Sequence, residues 1–171
     1  MIRRTLILLV AMAALTAANE ASASNIFLPT SGPSCLDRSK DSFGLWRCPG
    51  PAGYVVEFGD EGNMVGMGFA KAPLRGRSTR FVANWRGAGK VFGDKLQWVM
   101  QDGKPGAAVI RVWRVDTDKD GHDHEFQELK VFRVHEKGSC EYAAIDVRQP
   151  SANEQAEARA REALTHVCPK S

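Results

Sequence analysis

The residues best suited to chemistry stand together between positions 116 and 128. Asp116-x-Asp118-x-Asp120-Gly121 sets carboxylates on alternate residues ahead of a glycine, the opening of a calcium loop. Side chains so spaced can converge on one hard cation while the glycine permits the sharp turn. The carbonyl of His122 falls at the seventh loop position, and Asp123, Glu125 or Glu128 would complete the shell. The expected metal set is therefore Asp116, Asp118, Asp120, His122, Glu125 and Glu128. An EF-hand places an acid at its twelfth position, where this chain has Gln127, and its ninth position here is His124. The expectation is thus a weak calcium site within a hairpin, as in extracellular modules. His122-x-His124 also suits a transition metal, because alternate side chains of an extended strand point the same way. The competing reading of the stretch is a solvated acidic turn that keeps the hairpin soluble.

A second charged stretch has the opposite sign. Lys71, Arg75, Arg77 and Arg80 lie in a loop broken by Pro73 and Gly76, a candidate binding arm for an anionic partner. Trp85, Trp98 and Trp113 follow it, as stacking faces nearby or as core. The formal net charge is only +3, and no nucleic-acid partner is expected. No Gly-x-Ser-x-Gly elbow, His-Glu-x-x-His, P-loop or dinucleotide fingerprint is present, and His135 and His166 stand alone. The chain is expected not to be an enzyme.

The elements that must position these residues are mostly strands. Residues 107–115 and 126–134 are β-rich runs on either side of the acidic loop, a central hairpin. Further strands are expected at Tyr54–Phe58, Met64–Ala70, Phe81–Trp85, Lys95–Met100 and Cys140–Val147. Gly87, Gly89 and Gly93 separate two of them, and Gly66 and Gly68 within another suit a bulge or close packing against a second element. Residues 24–42, rich in Ser, Pro and Gly, read as surface chain until Cys35 fixes them. One helix is expected over 151–167, opened by the capping box Ser151-x-x-Glu154, with Ala152, Ala156, Ala160, Ala163, Leu164 and Val167 on one stripe. The expected fold is α+β and mainly antiparallel: a curved sheet or partial barrel of roughly six to eight strands under one C-terminal helix.

Residues 1–23 read as a signal peptide: Arg3 and Arg4, an apolar run from Leu6 to Ala18, then small residues ending at Ala23. That run is shorter than the roughly 20 residues a spanning helix needs. Residues 24–171 then form one domain, periplasmic or secreted, with no membrane span expected. The four cysteines, Cys35, Cys48, Cys140 and Cys168, read as two disulfides. Three pairings are open; Cys35 with Cys48 and Cys140 with Cys168 is favoured because each closes a local loop and ties a terminal segment to the sheet.

Three stretches carry a resemblance: residues 48–54 (Cys-Pro-Gly-Pro-Ala-Gly-Tyr), residues 98–111 from Trp98 to Arg111, and residues 140–146 leading into the alanine-rich helix. The chain resembles a group of small, exported, uncharacterised proteins of rhizobia and related alphaproteobacteria. The resemblance implies a periplasmic or secreted Gram-negative protein and carries no activity with it. The leading expectation is a non-enzymatic binding module that contacts a macromolecule or envelope component. The alternatives are a calcium-binding structural protein acting through the 116–128 loop and an inhibitor of a cell-wall hydrolase whose basic loop enters an acidic cleft.

Overall fold

The structure, a computed structural model, describes residues 24–40, 44–62, 64–74, 79–136 and 139–169. The expected signal peptide, Arg75 and Arg77 lie outside the described residues. Strands dominate: β1 (Ser24–Pro29), β2 (Leu36–Asp37), β3 (Leu45–Pro49), β4 (Tyr54–Glu61), β5 (Met64–Lys71), β6 (Ala83–Gln101), β7 (Lys104–Thr117), β8 (Asp123–Arg133) and β9 (Cys140–Asp146), followed by helix α1 (Ala152–Ala163). Strands β2 to β9 pair antiparallel in chain order as a curled half-barrel, and β1 pairs with the second half of β6.

Alternation along the central hairpin divides two cores. Ala108, Ile110 and Val112 of β7 join Phe58, Met67, Trp85, Phe92 and Trp98 inside the curl. Ala107 and Val109 face the other way, with Val99, Leu129, Val131 and Ile145, and meet α1. The helix presents Ala152, Ala156, Ala160 and Ala163, all buried, so its backbone can approach the sheet closely. The expected alanine stripe is therefore present, but the helix stops at Ala163. Thr165 Oγ1 donates to the Glu162 carbonyl at 3.2 Å, and the chain leaves the helix to carry Cys168 to Cys140. Val167 is 85% exposed rather than part of the stripe. The capping box does not form either: Ser151 has φ 54°, its side chain makes no capping bond, and the Gln155 side chain reaches back to the Pro150 carbonyl at 2.7 Å.

Two sequence expectations are corrected in the sheet. Phe81–Trp85 and Lys95–Met100 are not separate strands around a glycine loop; β6 runs through all of 83–101, with register shifts against β7 between Gly87 and Phe92 and again before Leu96. Those irregularities bend one strand so that it pairs β5 at one end and β1 at the other. Residues 24–30 are also more than surface chain. Ile26 and Leu28 pack against the inner core from β1, and buried Thr30 caps it by donating to the Gly93 carbonyl at 2.6 Å and accepting the Trp46 indole N–H at 2.8 Å.

The glycines of β4 and β5 have a packing reason. A Cβ at Gly59 or Gly66 would strike the Phe81 ring, and one at Gly68 would strike the Arg80 carbonyl. The chain returning from the basic loop thus lies flat on these strands, and the buried Glu57 carboxylate fastens it by accepting the Thr79 backbone N–H at 2.6 Å. Both disulfides form as favoured, Cys35–Cys48 and Cys140–Cys168, which fits an oxidising, non-cytoplasmic compartment. Among the described residues no helix is long and apolar enough to cross a membrane.

Candidate functional site

The acidic hairpin is organised by its own hydrogen bonds and by neighbouring cations. Asp118 is the hub: its carboxylate accepts the backbone N–H groups of Asp120 and His122, each at 2.9 Å, and lies 2.8 Å from His124 Nε2. Asp116 is bound by Arg114. Asp123 accepts from Thr117 at 2.6 Å and pairs with Arg86 of β6 at 3.1 Å. Glu128 pairs with Arg114 at 3.2 Å and lies 3.9 Å from Lys130. His122 and Glu125 are exposed. Of the six sequence-selected residues, His122 Nδ1 comes within 3.7 Å of the Asp118 carboxylate while Asp116 and Glu128 are held by Arg114, and among the described residues no three His, Cys, Asp or Glu side chains gather as a metal group.

Hydrogen bonding, first from His124 and then from the His122 backbone, holds Asp118 below the ordinary carboxylate value of 3.8. The folded loop therefore favours the ionised form: its contribution is fully present above that ordinary value and fades as pH falls through the lowered one. The amides of Asp120 and His122 are expected to stay slow to exchange until the pH drops below 3.8, then lose protection together. Hydrogen exchange measured by NMR from pH 5 downward checks this, and Asp118→Ala should remove the protection at every pH.

The basic loop divides. Lys71 is ion-paired with Glu136, whereas Arg80 points to a different place. Arg80 lines a cleft of about 750 Å³ where the chain leaving the basic loop, the end of β8, the start of β9 and the tail after α1 meet. Phe69, Phe81 and Val82 supply apolar wall on one side. Arg133 ends β8 and His135 follows it, Ser139 precedes β9 and Cys140 opens it, and Thr165, His166 and Cys168 come from the tail. The Cys140–Cys168 disulfide is therefore part of the wall itself, and it holds the tail in place.

The electrostatics of this cleft are one-sided. Among the described residues no Asp or Glu lines it. Arg133 is half-buried and donates to the Gly106 carbonyl, and burial pulls its guanidinium below the ordinary value. No described carboxylate lies in ion-pair range of Arg133 or Arg80. His166 is oriented by the Tyr142 ring, with centroids 4.9 Å apart, and Tyr142 in turn donates its hydroxyl to Glu162 at 3.2 Å. The cleft can thus offer two guanidiniums, two imidazoles and hydroxyl groups to a ligand whose remainder rests on aromatic and aliphatic surface.

No sequence pattern marks Arg133, and His135 and His166 are solitary along the chain. The signal that joins them was present: His135 precedes Cys140 by a few residues, His166 precedes Cys168 by two, and the favoured disulfide brings both segments together. The expected stacking tryptophans are used elsewhere: Trp98 and Trp85 are buried, and Trp113 is half-buried beneath Lys90 Nζ, 5.7 Å from its ring centroid.

The fold and this site define a class of protein in structural terms, a disulfide-stapled β half-barrel with a cleft lined by the tail after α1 and, among the described residues, by no acid. Compared with family models, with curated proteins and with solved structures, the chain finds no match.

Proposed function

We propose that the protein is an exported, non-enzymatic binding module of the periplasm or extracellular space whose cleft receives a component of the cell envelope. The observation that carries this reading is the cleft of about 750 Å³, within the range of ligand-binding pockets and built from four separate segments of chain. A covalent cross-link in its wall supports the same reading, because a preorganised site loses less entropy when it binds. The two disulfides and the leader-like residues 1–23 support export. The acidic hairpin is in this account a structural turn, with Asp116 and Glu128 engaged by Arg114, Asp123 by Arg86 and Asp118 by the hairpin's own backbone.

Thermal unfolding of the oxidised protein against purified envelope components, namely muropeptides, lipopolysaccharide and membrane lipids in detergent, tests the reading. Thr165 is exposed at the cleft, and Thr165→Trp fills part of it without disturbing the core. At least one component is expected to raise the midpoint of the wild type by several degrees and to leave that of Thr165→Trp unmoved. Equal shifts in both proteins, or no shift with any component, would contradict it.

A further inference from the structure

Resting on the cleft as the binding site, we infer that its ligand is an amphiphile with one anionic head, carboxylate or phosphate, the head held by Arg133 and Arg80 and the apolar part lying on Phe69, Phe81 and Val82. Arg80 and Arg133 line the cleft without a carboxylate partner among the described residues, and no acidic side chain among those residues lines it to repel an anion. Arg133 is the stronger anchor. It is half-buried, with Nη1 fixed on the Gly106 carbonyl, so its planar fork is already oriented when a head group arrives. The neighbouring cavity of about 460 Å³ makes the contrast. It shares Arg133 and His135 and adds Lys104, but Asp102 and Glu136 line it as well, so an anion entering there also meets like charge.

The apolar side argues against a free inorganic anion as the natural ligand. Phe69 is seated by edge contact with Trp98, ring centroids 5.6 Å apart, and by tilted contact with Phe132 at 5.3 Å, which fixes the wall it presents. Phe81 is fixed in turn by its seat over Gly59 and Gly66. Such a surface gains nothing from a hydrated ion and gains from every methylene laid on it.

The test is an NMR titration of the oxidised protein with decanoate, decyl phosphate, decanol and inorganic phosphate, followed at the amides of Val82, Arg133, His135 and His166. Decanoate or decyl phosphate should bind at least about tenfold more tightly than decanol and than inorganic phosphate, and the ratio between the two anions identifies the head group. Arg133→Gln and, separately, Arg80→Gln should each weaken the anions by about tenfold and leave decanol unchanged. Arg80 is exposed, so its variant tests the charge even where Arg133→Gln disturbs the fold. Decanol binding in the cleft as tightly as the anions would overturn the anionic head while leaving the cleft as a site. Inorganic phosphate binding as tightly as decyl phosphate would overturn the apolar part. Absence of shifts at these four amides with every probe would overturn the inference altogether, and the envelope panel with Thr165→Trp then decides separately whether the cleft is a site at all.

Discussion

Arg47→Met is expected to destabilise the protein by about 3–5 kcal/mol, the cost of leaving one member of a buried ion pair without its partner. The Glu57 side chain is 0% exposed and that of Arg47 14%, with Nη2 and Oε2 3.1 Å apart. Glu57 stands on β4 with Arg47 opposite it on β3 and Gly68 opposite it on β5, beneath the chain that returns from the basic loop. Its Oε1 has no hydrogen-bond partner among the described residues, so little else there compensates the charge once the guanidinium is gone. The double variant Arg47→Met/Glu57→Gln removes the charge and keeps an acceptor for the Thr79 N–H. It should recover about 2 kcal/mol or more of the single variant's loss. Urea unfolding followed by tryptophan fluorescence reads both. A single variant that costs less than about 1 kcal/mol, or a double variant no better than the single, would show that this pair does not fasten the returning chain.

The second large effect belongs to the disulfide in the cleft wall. Cys140 and Cys168 are 28 residues apart in sequence, and opening that loop in the unfolded chain is expected to cost about 3.5 kcal/mol, or roughly 10 °C in midpoint. Cys140→Ser/Cys168→Ser should keep the sheet and α1, because the helix is held by its own alanine contacts with β7, β8 and β9. The tail after Ala163 should detach, with loss of the Tyr142–His166 ring contact and of ligand binding. Removing Cys35–Cys48 instead leaves the cleft wall intact, so that variant should lose stability and retain binding in the cold. Equal binding by both disulfide variants would mean that the tail is not part of the site.

Much of the architecture was legible because it is local. The hairpin at 107–134 shows alternation and β-branched runs, and its turn carries Asp and Gly, so neighbouring residues suffice to read it. Strand β1 was not legible, since Ser24–Pro29 becomes a strand by pairing with residues 95–100 far along the chain. β6 was misread because glycines that bend a strand leave the same trace in sequence as glycines that end one. The candidate site divides in the same way. The alternating aspartates drew attention by their spacing, yet Arg86, from a distant strand, engages Asp123 and no local pattern announces it. The cleft is assembled from segments around residues 80, 133, 140 and 166 that share no motif, and only the cysteine pairing connects two of them. Arg80 was selected for its charge, and it does face the cleft, whereas Lys71 from the same loop is paired with Glu136.

The amide map of the oxidised protein tests most directly that this cleft, lined by no acid among the described residues, is where the protein meets its ligand. Recorded with each envelope component in turn, the map should show perturbations concentrated at Arg80–Val82, Arg133–His135, Ser139–Cys140 and Thr165–Cys168. Thr165→Trp should abolish them. Perturbations centred instead on the 116–124 hairpin, or spread evenly over the surface with no response at Arg133 and His166, would contradict the account and move the site elsewhere on the molecule.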